Sequence, residues 1–445
     1  MPANDGTRRR LLRTAAAAGT ALGGLTTLGA TPKGKGRVFK VGLVGCGGRG
    51  RQAVVQHVEA ARRLNEALGL GITIEVAATA DWLKPRAEQI GQRHGVPASR
   101  CFGGPTACRQ LIDSGVDTVL LCTPPAFRPG HLEAAVEAGK HVFIEKPAAV
   151  DPPGCRRVIA AGETAGKKGL TVVAGTQHRH LKSYIDTHAA VAEGKIGKLV
   201  TGRISWCQRH AGAPEPVEKL GLDAFLATWR DWVQLGGDHI VEQHIHNIDV
   251  ANWFLGAHPL HAIGFGGRAR RPAGNTYDFF SIDFEYPDGV HIHSMCRQIN
   301  ETHVWVGEML VGDKVAERKV GEDVLRGMRT TACRGDMFPG ESPVPEEIPQ
   351  DRRGHLQEHV NLLYYLIKGK PLNQARALAE STATAILGRT AAYTGQQILW
   401  RDMMDDPTRK PELYNLTLTP TAADIEAGTA DLPDQGRCPL AGKAA

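Results

Sequence analysis

The sequence predicts an α/β protein in two parts: a parallel sheet with helices on both faces, then an α+β domain with a large, mostly antiparallel open sheet. Three observations predict it. From Val38 to about Gln177, short apolar runs alternate with helix-like stretches, the pattern of a parallel sheet covered on both sides. A glycine-rich turn directly follows the first apolar run. Beyond Gln177 the runs lengthen and alternate, and Tyr286-Pro287-Asp288-Gly289 separates two of them as a hairpin turn.

Residues 1–37 stand apart as a leader and linker. Thr7-Arg8-Arg9-Arg10-Leu11-Leu12-Arg13 precedes an uncharged Ala/Gly/Leu segment reaching Ala30, which resembles a twin-arginine export signal and predicts a periplasmic protein. A disordered basic tail is the alternative, and the absence of charge over residues 14–30 disfavours it. Nine scattered cysteines, without metal-like spacing, suit a chain that folds in a reducing compartment before export. The formal charge of +6 falls to +3 once the four arginines and one aspartate of residues 1–30 are set aside. No basic stripe interleaved with aromatics remains, which argues against nucleic acid as a partner. No apolar run after the leader is long enough to span a bilayer.

The first element of the parallel sheet is Val38–Val44, followed by Gly45-Cys46-Gly47-Gly48-Arg49-Gly50 and a helix beginning near Gln52. Gly45 permits the tight turn, Gly47 lets the backbone approach a pyrophosphate, and Gly50 lets helix and strand pack closely. The phosphates would then sit at the positive end of the helix dipole. Glycine turns are common, so the spacing alone is weak; strand before and helix after give it the context of a Rossmann dinucleotide-binding domain. The second strand, Ile74–Ala80, ends on Asp81, whose carboxylate can hold the adenosine ribose hydroxyls and repel a 2′-phosphate, favouring NAD over NADP. The segment Ala60–Gly71 extends the first helix and its loop, which lengthens the usual spacing between glycines and acid. Strands at Thr118–Cys122, His141–Ile144 and Thr171–Ala174 complete the sheet, with Thr123 and Pro124 at the cofactor end of the first of these.

Glu145-Lys146-Pro147 lies at the carboxyl end of His141–Ile144, where ligands bind in such sheets. There Lys146 can hydrogen-bond a substrate oxygen and lower the pKa of a neighbouring base; elsewhere a Lys-Pro would be a surface turn. The Lys146–Pro147 peptide is expected to be cis.

The second half begins with a helix near Tyr184–Glu193 and strands at Leu199–His210, Leu260–Gly266, Phe279–Tyr286, Val290–Gln298 and Val304–Val311. Late helices at about His355–Lys368 and Ala377–Gln396 follow. Within it, Asp238–Trp253 reads as one helix. His239, Glu242, His246, Asp249 and Trp253 then share one face at spacings of three and four, and Glu242 can orient the His246 imidazole and raise its basicity. His244 and His246 suggest zinc, but on one helix their rings point to opposite sides and no third ligand is evident, so no metal is expected.

Together these motifs resemble the Gfo/Idh/MocA family of oxidoreductases, named for glucose–fructose oxidoreductase, inositol dehydrogenase and a rhizopine-catabolism protein. The resemblance runs from Val38 to about Trp400 and includes Gly388-Arg389-Thr390-Ala391-Ala392-Tyr393-Thr394-Gly395. It implies a Rossmann domain over 38–177, a C-terminal substrate and dimerisation domain over 178–410 and an irregular tail over 411–445. It also implies a homodimer or homotetramer acting on a small carbohydrate. By position Lys146 matches the family's catalytic lysine and His246 its catalytic histidine, with Glu242 where the family carries aspartate. Gly45, Gly47, Gly48, Arg49, Gly50, Asp81, Thr123, Pro124, Glu145 and Lys146 are the expected NAD contacts. Arg179, which matches the last residue of an Asn-Arg-Arg pattern whose first two are here Gln177 and His178, is an expected substrate residue with His180, Trp206 and Asp249. His210, Trp229, Arg230 and Trp232 are further candidate walls, and each of these also reads as a core residue.

Export adds a constraint, because free NAD is scarce outside the cytoplasm. The cofactor is therefore expected to be tightly bound and restored within each cycle. Two reaction classes do that: oxidation of one sugar with reduction of another, or transient oxidation of a glycoside with elimination, as in NAD-dependent glycosidases of family 109. The intact Glu-Lys-Pro favours the oxidoreductase. A non-catalytic sugar-binding role is a third reading, disfavoured by the acid–base residues.

Overall fold

A computed structural model describes residues 36–210, 220–314, 319–320, 323–324, 329–330, 351, 354–406, 408–409 and 417–439. The expected export signal lies outside them. The first half runs β1 (Val38–Val44), α1 (Gly48–Leu68), β2 (Thr73–Asp81), α2 (Lys84–Arg93), β3 (Cys101–Gly103), α3 (Ala107–Asp113), β4 (Thr118–Leu121), α4 (Arg128–Glu137), β5 (His141–Ile144), α5 (Pro152–Lys167) and β6 (Val172–Ala174). Its six strands are parallel in the order β3-β2-β1-β4-β5-β6. The order reverses between β1 and β4, and a ligand crevice opens beyond the carboxyl ends of strands at such a switch point. β4 and β5 are buried at almost every position, as a sheet covered on both faces requires.

The second half contains α6 (Lys182–Ala192), β7 (Leu199–Gln208), α7 (Leu222–Ala227), α8 (Val233–Gly236), α9 (His239–Glu242), α10 (Ile245–Leu255), β8 (His261–Gly267), β9 (Phe279–Tyr286), β10 (Val290–Gln298) and β11 (Trp305–Gly312). Two-residue strands β12 (Lys319–Val320), β13 (Asp323–Val324) and β14 (Arg329–Thr330) follow, then α11 (Gly354–Lys368), α12 (Ala375–Thr394), β15 (Ile398–Leu399) and α13 (Ala422–Ala427). Seven strands form a sheet in the order β14-β11-β7-β10-β9-β8-β15, antiparallel except between β7 and β10. α12 closes its inner face so tightly that a Cβ on Gly388 would sit 2.8 Å from the Phe284 ring. The outer face leaves Ile263 and Phe265 exposed.

Three expectations are corrected, and one strand is added. β3 was not read from the sequence, because three residues carry no periodicity. α11, placed with the second half, packs on α1: Leu356, Val360 and Leu363 share a core cluster with Phe39, Ala60 and Leu64. The tail is not irregular throughout, since α13 buries Ile425 completely. The stretch 239–253 is two helices. The His244 N–H reaches back five residues to His239 O at 3.1 Å, and the His246 N–H only three, to Gln243 O at 3.4 Å. A wide turn followed by a tight one resets the phase, so positions 242 and 246 no longer stack one above the other.

Candidate active site

The carboxyl ends of β1, β2, β4 and β5 face one crevice. After β1, Gly45 turns with φ of 91°, a region glycine enters without strain. Its N–H donates to Ala80 O at 2.8 Å. A Cβ on Gly50 would lie 1.8 Å from Gly45 O, so α1 can begin here only with glycine at this contact. Gly47 and Gly48 are the opposite case, because a Cβ on either meets nothing within 4 Å. That open space lies at the N-terminus of α1, whose first N–H groups no side chain caps, and it forms a cradle for an anion.

At the end of β2, Asp81 accepts from the Cys46 N–H at 2.7 Å and the Leu83 N–H at 2.9 Å. Burial raises its pKa despite those donors and Arg86. A cleft opens beside it. Gly45, Gly47, Asp81, Thr123 and Pro124 line it, and Trp229 closes it from the second half. These residues fit the adenosine and pyrophosphate of a dinucleotide.

Arg49 and Glu145, expected to touch the cofactor, are paired with one another. The Arg49 guanidinium also bonds Gln56 Oε1 at 2.6 Å and Glu358 Oε2 at 3.3 Å. Burial works to raise both carboxyls. In Glu145 the charges of Arg49 and Lys146 prevail and lower it, whereas in Glu358 burial prevails and holds it well above the ordinary range. Arg49 thus bridges two buried carboxyls whose pKa values are pushed in opposite directions. Glu358 and the nearby His355 on α11 were not found from the sequence; they lie far along the chain from Lys146, with no local motif.

Lys146 follows β5, next to a cis bond to Pro147. Its Nζ donates to the Glu242 backbone oxygen at 2.6 Å and to Glu242 Oε1 at 3.2 Å. Burial works to raise Glu242, and the charges of Lys146 and Arg230 outweigh it, leaving the carboxyl below its ordinary value. The expected Glu242–His246 pair is therefore absent: the carboxylate is engaged by lysine. His246 Nδ1 is sealed from solvent with no hydrogen-bond partner. Burial first, then the charge of Lys146 and the rings of His178 and His355, holds the imidazole well below its usual pKa, so it is neutral. The Trp206 and His178 rings flank it, each with its centroid 5.6 Å away.

The other expected substrate residues fall elsewhere. Arg179 binds Asp249 through Nε and Nη2 at 2.8–3.0 Å, Ser381 donates to the same carboxylate at 2.7 Å, and Asp249 is buried. The pair is an internal strut, with Arg179 over the Trp253 ring. His180 is buried between Gln374 Oε1 at 3.2 Å and Asn361 Nδ2 at 2.8 Å, and its ring nitrogens are thereby occupied. His239 packs on Phe280 and bonds Tyr277 O. His244 is fully buried, 2.7 Å from Ser294 Oγ and 3.3 Å from Asn247 Oδ1. Among the described residues no group of three His, Cys, Asp or Glu is arranged to hold a metal.

Comparison with known proteins accords with this geometry. A family model described as "Oxidoreductase family, NAD-binding Rossmann fold" matches residues 39–174, and one described as "GFO/IDH/MocA C-terminal domain" matches residues 184–312. The chain is 31% identical over 307 residues to the 1,5-anhydro-D-fructose reductase of Ensifer adhaerens, covering 65% of this chain and 82% of that protein. It is 34% identical over 217 residues to the inositol 2-dehydrogenase of Paracoccus denitrificans, covering 49% of this chain and only 54% of that protein. In fold it resembles a levoglucosan dehydrogenase solved in complex with NADH and levoglucosan, with a TM-score of 0.62 at 15% identity over 82% of this chain and 99% of that one.

Proposed function

The chain belongs to the Gfo/Idh/MocA family, and from that premise we propose that it is an NAD-dependent oxidoreductase removing hydride from the carbon that bears a sugar, polyol or glycoside hydroxyl. The observation that carries this reading is a neutral, buried His246 beside an anchored Lys146, whose chain neighbour Glu145 pairs with Arg49 of the glycine turn. Bound nicotinamide would accept the hydride. His246, uncharged at neutral pH, takes the hydroxyl proton; Lys146 stabilises the oxygen as negative charge develops on it. Glu242 fixes the lysine in place instead of orienting the histidine. Trp206 offers a flat apolar face to the sugar ring. Preference for NAD over NADP rests on Asp81, held rigid by two backbone N–H groups.

We propose further that the cofactor is tightly bound, that the protein is exported to the periplasm by the twin-arginine route, and that it self-associates through the outer sheet face. In support of the last, Ile263 and Phe265 stand exposed there, at 46% and 66%. The test is native mass spectrometry of the purified protein, then incubation with a panel of sugars, polyols and glycosides. Bound NAD(H) with oxidised or interconverted products supports the reading. Cleavage of a glycoside without net oxidation would replace it with the transient-oxidation glycosidase, and binding without turnover would leave a sugar-binding protein.

A further inference from the structure

The segment 417–439 plays no part in the chemistry above, yet it is tied down at three places. The Leu418 N–H lies 3.3 Å from Asp151 Oδ2, at the start of α5 in the dinucleotide-binding half. The Gly436 N–H donates to Gly274 O at 2.8 Å, between β8 and β9 in the other half. Between these anchors α13 is fixed by a capping box of Thr421 and Asp424. It buries Ile425 in an apolar cluster with Phe127 of the first half and Phe225, Leu226 and Trp232 of the second. The next residue, Glu426, lines the same cavity as Gly45, Gly47 and Asp81. Its carboxylate lies 3.7 Å from His131 Nε2, and His131 Nδ1 is 3.2 Å from Thr123 Oγ1 at the end of β4.

We propose that residues 417–439 are a strap that holds the adenosine half of the dinucleotide in its pocket between turnovers, with Ile425 and Glu426 as its latch. The inference rests on the dinucleotide reading given above. A cofactor in an open crevice leaves as soon as its own contacts break. Here one wall of the pocket belongs to a segment anchored to both halves of the molecule, so release requires α13 to undock. Undocking exposes Ile425 and separates Glu426 from His131. Burial pulls the His131 imidazole down, but the Cys108 thiol and the Glu426 carboxylate outweigh it and raise its pKa, so the latch joins opposite charges. A cofactor retained in this way must be restored by the substrate pair itself, through a second sugar that takes back the hydride or by return of the hydride to the same molecule.

The test is exchange of bound NAD against excess isotopically labelled NAD, followed by mass spectrometry on the intact protein, on Ile425→Ser and on Glu426→Ala. Circular dichroism confirms that each variant is folded. The strap predicts exchange over hours in the intact protein and at least tenfold faster exchange in both variants. It also predicts that NAD protects the 428–435 segment of the intact protein from limited proteolysis. Wild-type exchange rates in both folded variants would overturn the strap while leaving the oxidoreductase reading in place. If the variants do not fold, proteolysis decides, and equal cleavage with and without NAD overturns it. An intact protein that takes up neither NAD nor NADP would remove the functional reading first, and the strap with it.

Discussion

Lys146 and Glu242 meet twice, through the backbone oxygen and the carboxylate of Glu242, at 2.6 and 3.2 Å from the lysine Nζ. The contact joins the end of β5 to the end of α9 and so ties the two halves together at the proposed reacting centre. It also separates the roles of the two residues flanking the break in the 239–253 segment: Glu242 serves the lysine, and His246 is left as a neutral base without a carboxylate partner.

Lys146→Ala and His246→Ala should each lower turnover by ~10²–10⁴, the scale of acid–base contributions. The double variant should lose little more than either alone, since groups acting as one unit are not additive. NAD titration should be nearly unchanged, because the proposed seat of the phosphates is the glycine cradle. Additive losses measured by steady-state kinetics would show that the two residues act in separate steps.

His244→Ala separates structural from chemical roles. On an unbroken helix this ring would face away from the crevice and be dispensable. In the structure it is fully buried and bonded to Ser294 and Asn247. Its removal strands those partners, at a cost of about 1–3 kcal/mol. Thermal melting should show the loss, while the folded fraction keeps turnover within a few-fold of the parent.

The two ends of the glycine turn should respond differently to substitution. Gly50→Ala places a methyl 1.8 Å from Gly45 O, so the loop must distort, and both melting temperature and NAD affinity should fall. Gly47→Val meets open space; it should fold normally and lose NAD binding because the side chain fills the cradle. Normal NAD affinity in folded Gly47→Val would move the pyrophosphate away from this turn.

The parallel half was legible because its signals are local: apolar runs, a glycine turn, an acid at a strand end and Glu-Lys-Pro at another. The sheet of the second half was legible from alternation and one hairpin turn. What escaped depends on contacts between distant segments. Glu358 acquires meaning only when α11 crosses back onto α1, and α13 only when Ile425 finds Phe127 and Trp232. Arg179, His180 and Asp249 carry groups common in sugar sites, yet His180 and Asp249 are taken up by internal partners and Arg179 commits Nε and Nη2 to Asp249, which spacing cannot reveal. The helix face through residues 239–253 failed because one wide turn shifts the phase, and the sequence carries neither proline nor glycine there to announce it.

Stability should fall as pH drops below neutrality, before the carboxylates titrate. Burial lowers the His57 and His244 rings to about 3, with His239 adding to the effect in His244. Burial likewise lowers His180 to about 4, with Gln374 opposing. These groups are neutral in the folded chain and protonate near their ordinary 6.5 when it unfolds. Between about pH 6.5 and 4 the unfolded state therefore binds more protons, and the stability present above 6.5 is progressively lost. Each pKa unit of difference corresponds to ~1.4 kcal/mol, so the many lowered rings together outweigh the groups that act the other way. Those are Glu358, Asp81 and Asp151, whose carboxyls burial raises, and His131, whose raised pKa contributes stability that is lost as pH rises from 6.5 to about 9. Urea midpoints measured at pH 7.5, 6 and 5 should decline in that order. A midpoint that is flat or rises towards pH 5 would mean that these rings are hydrated in solution and that the core around α1, α10 and α11 is looser than their burial implies.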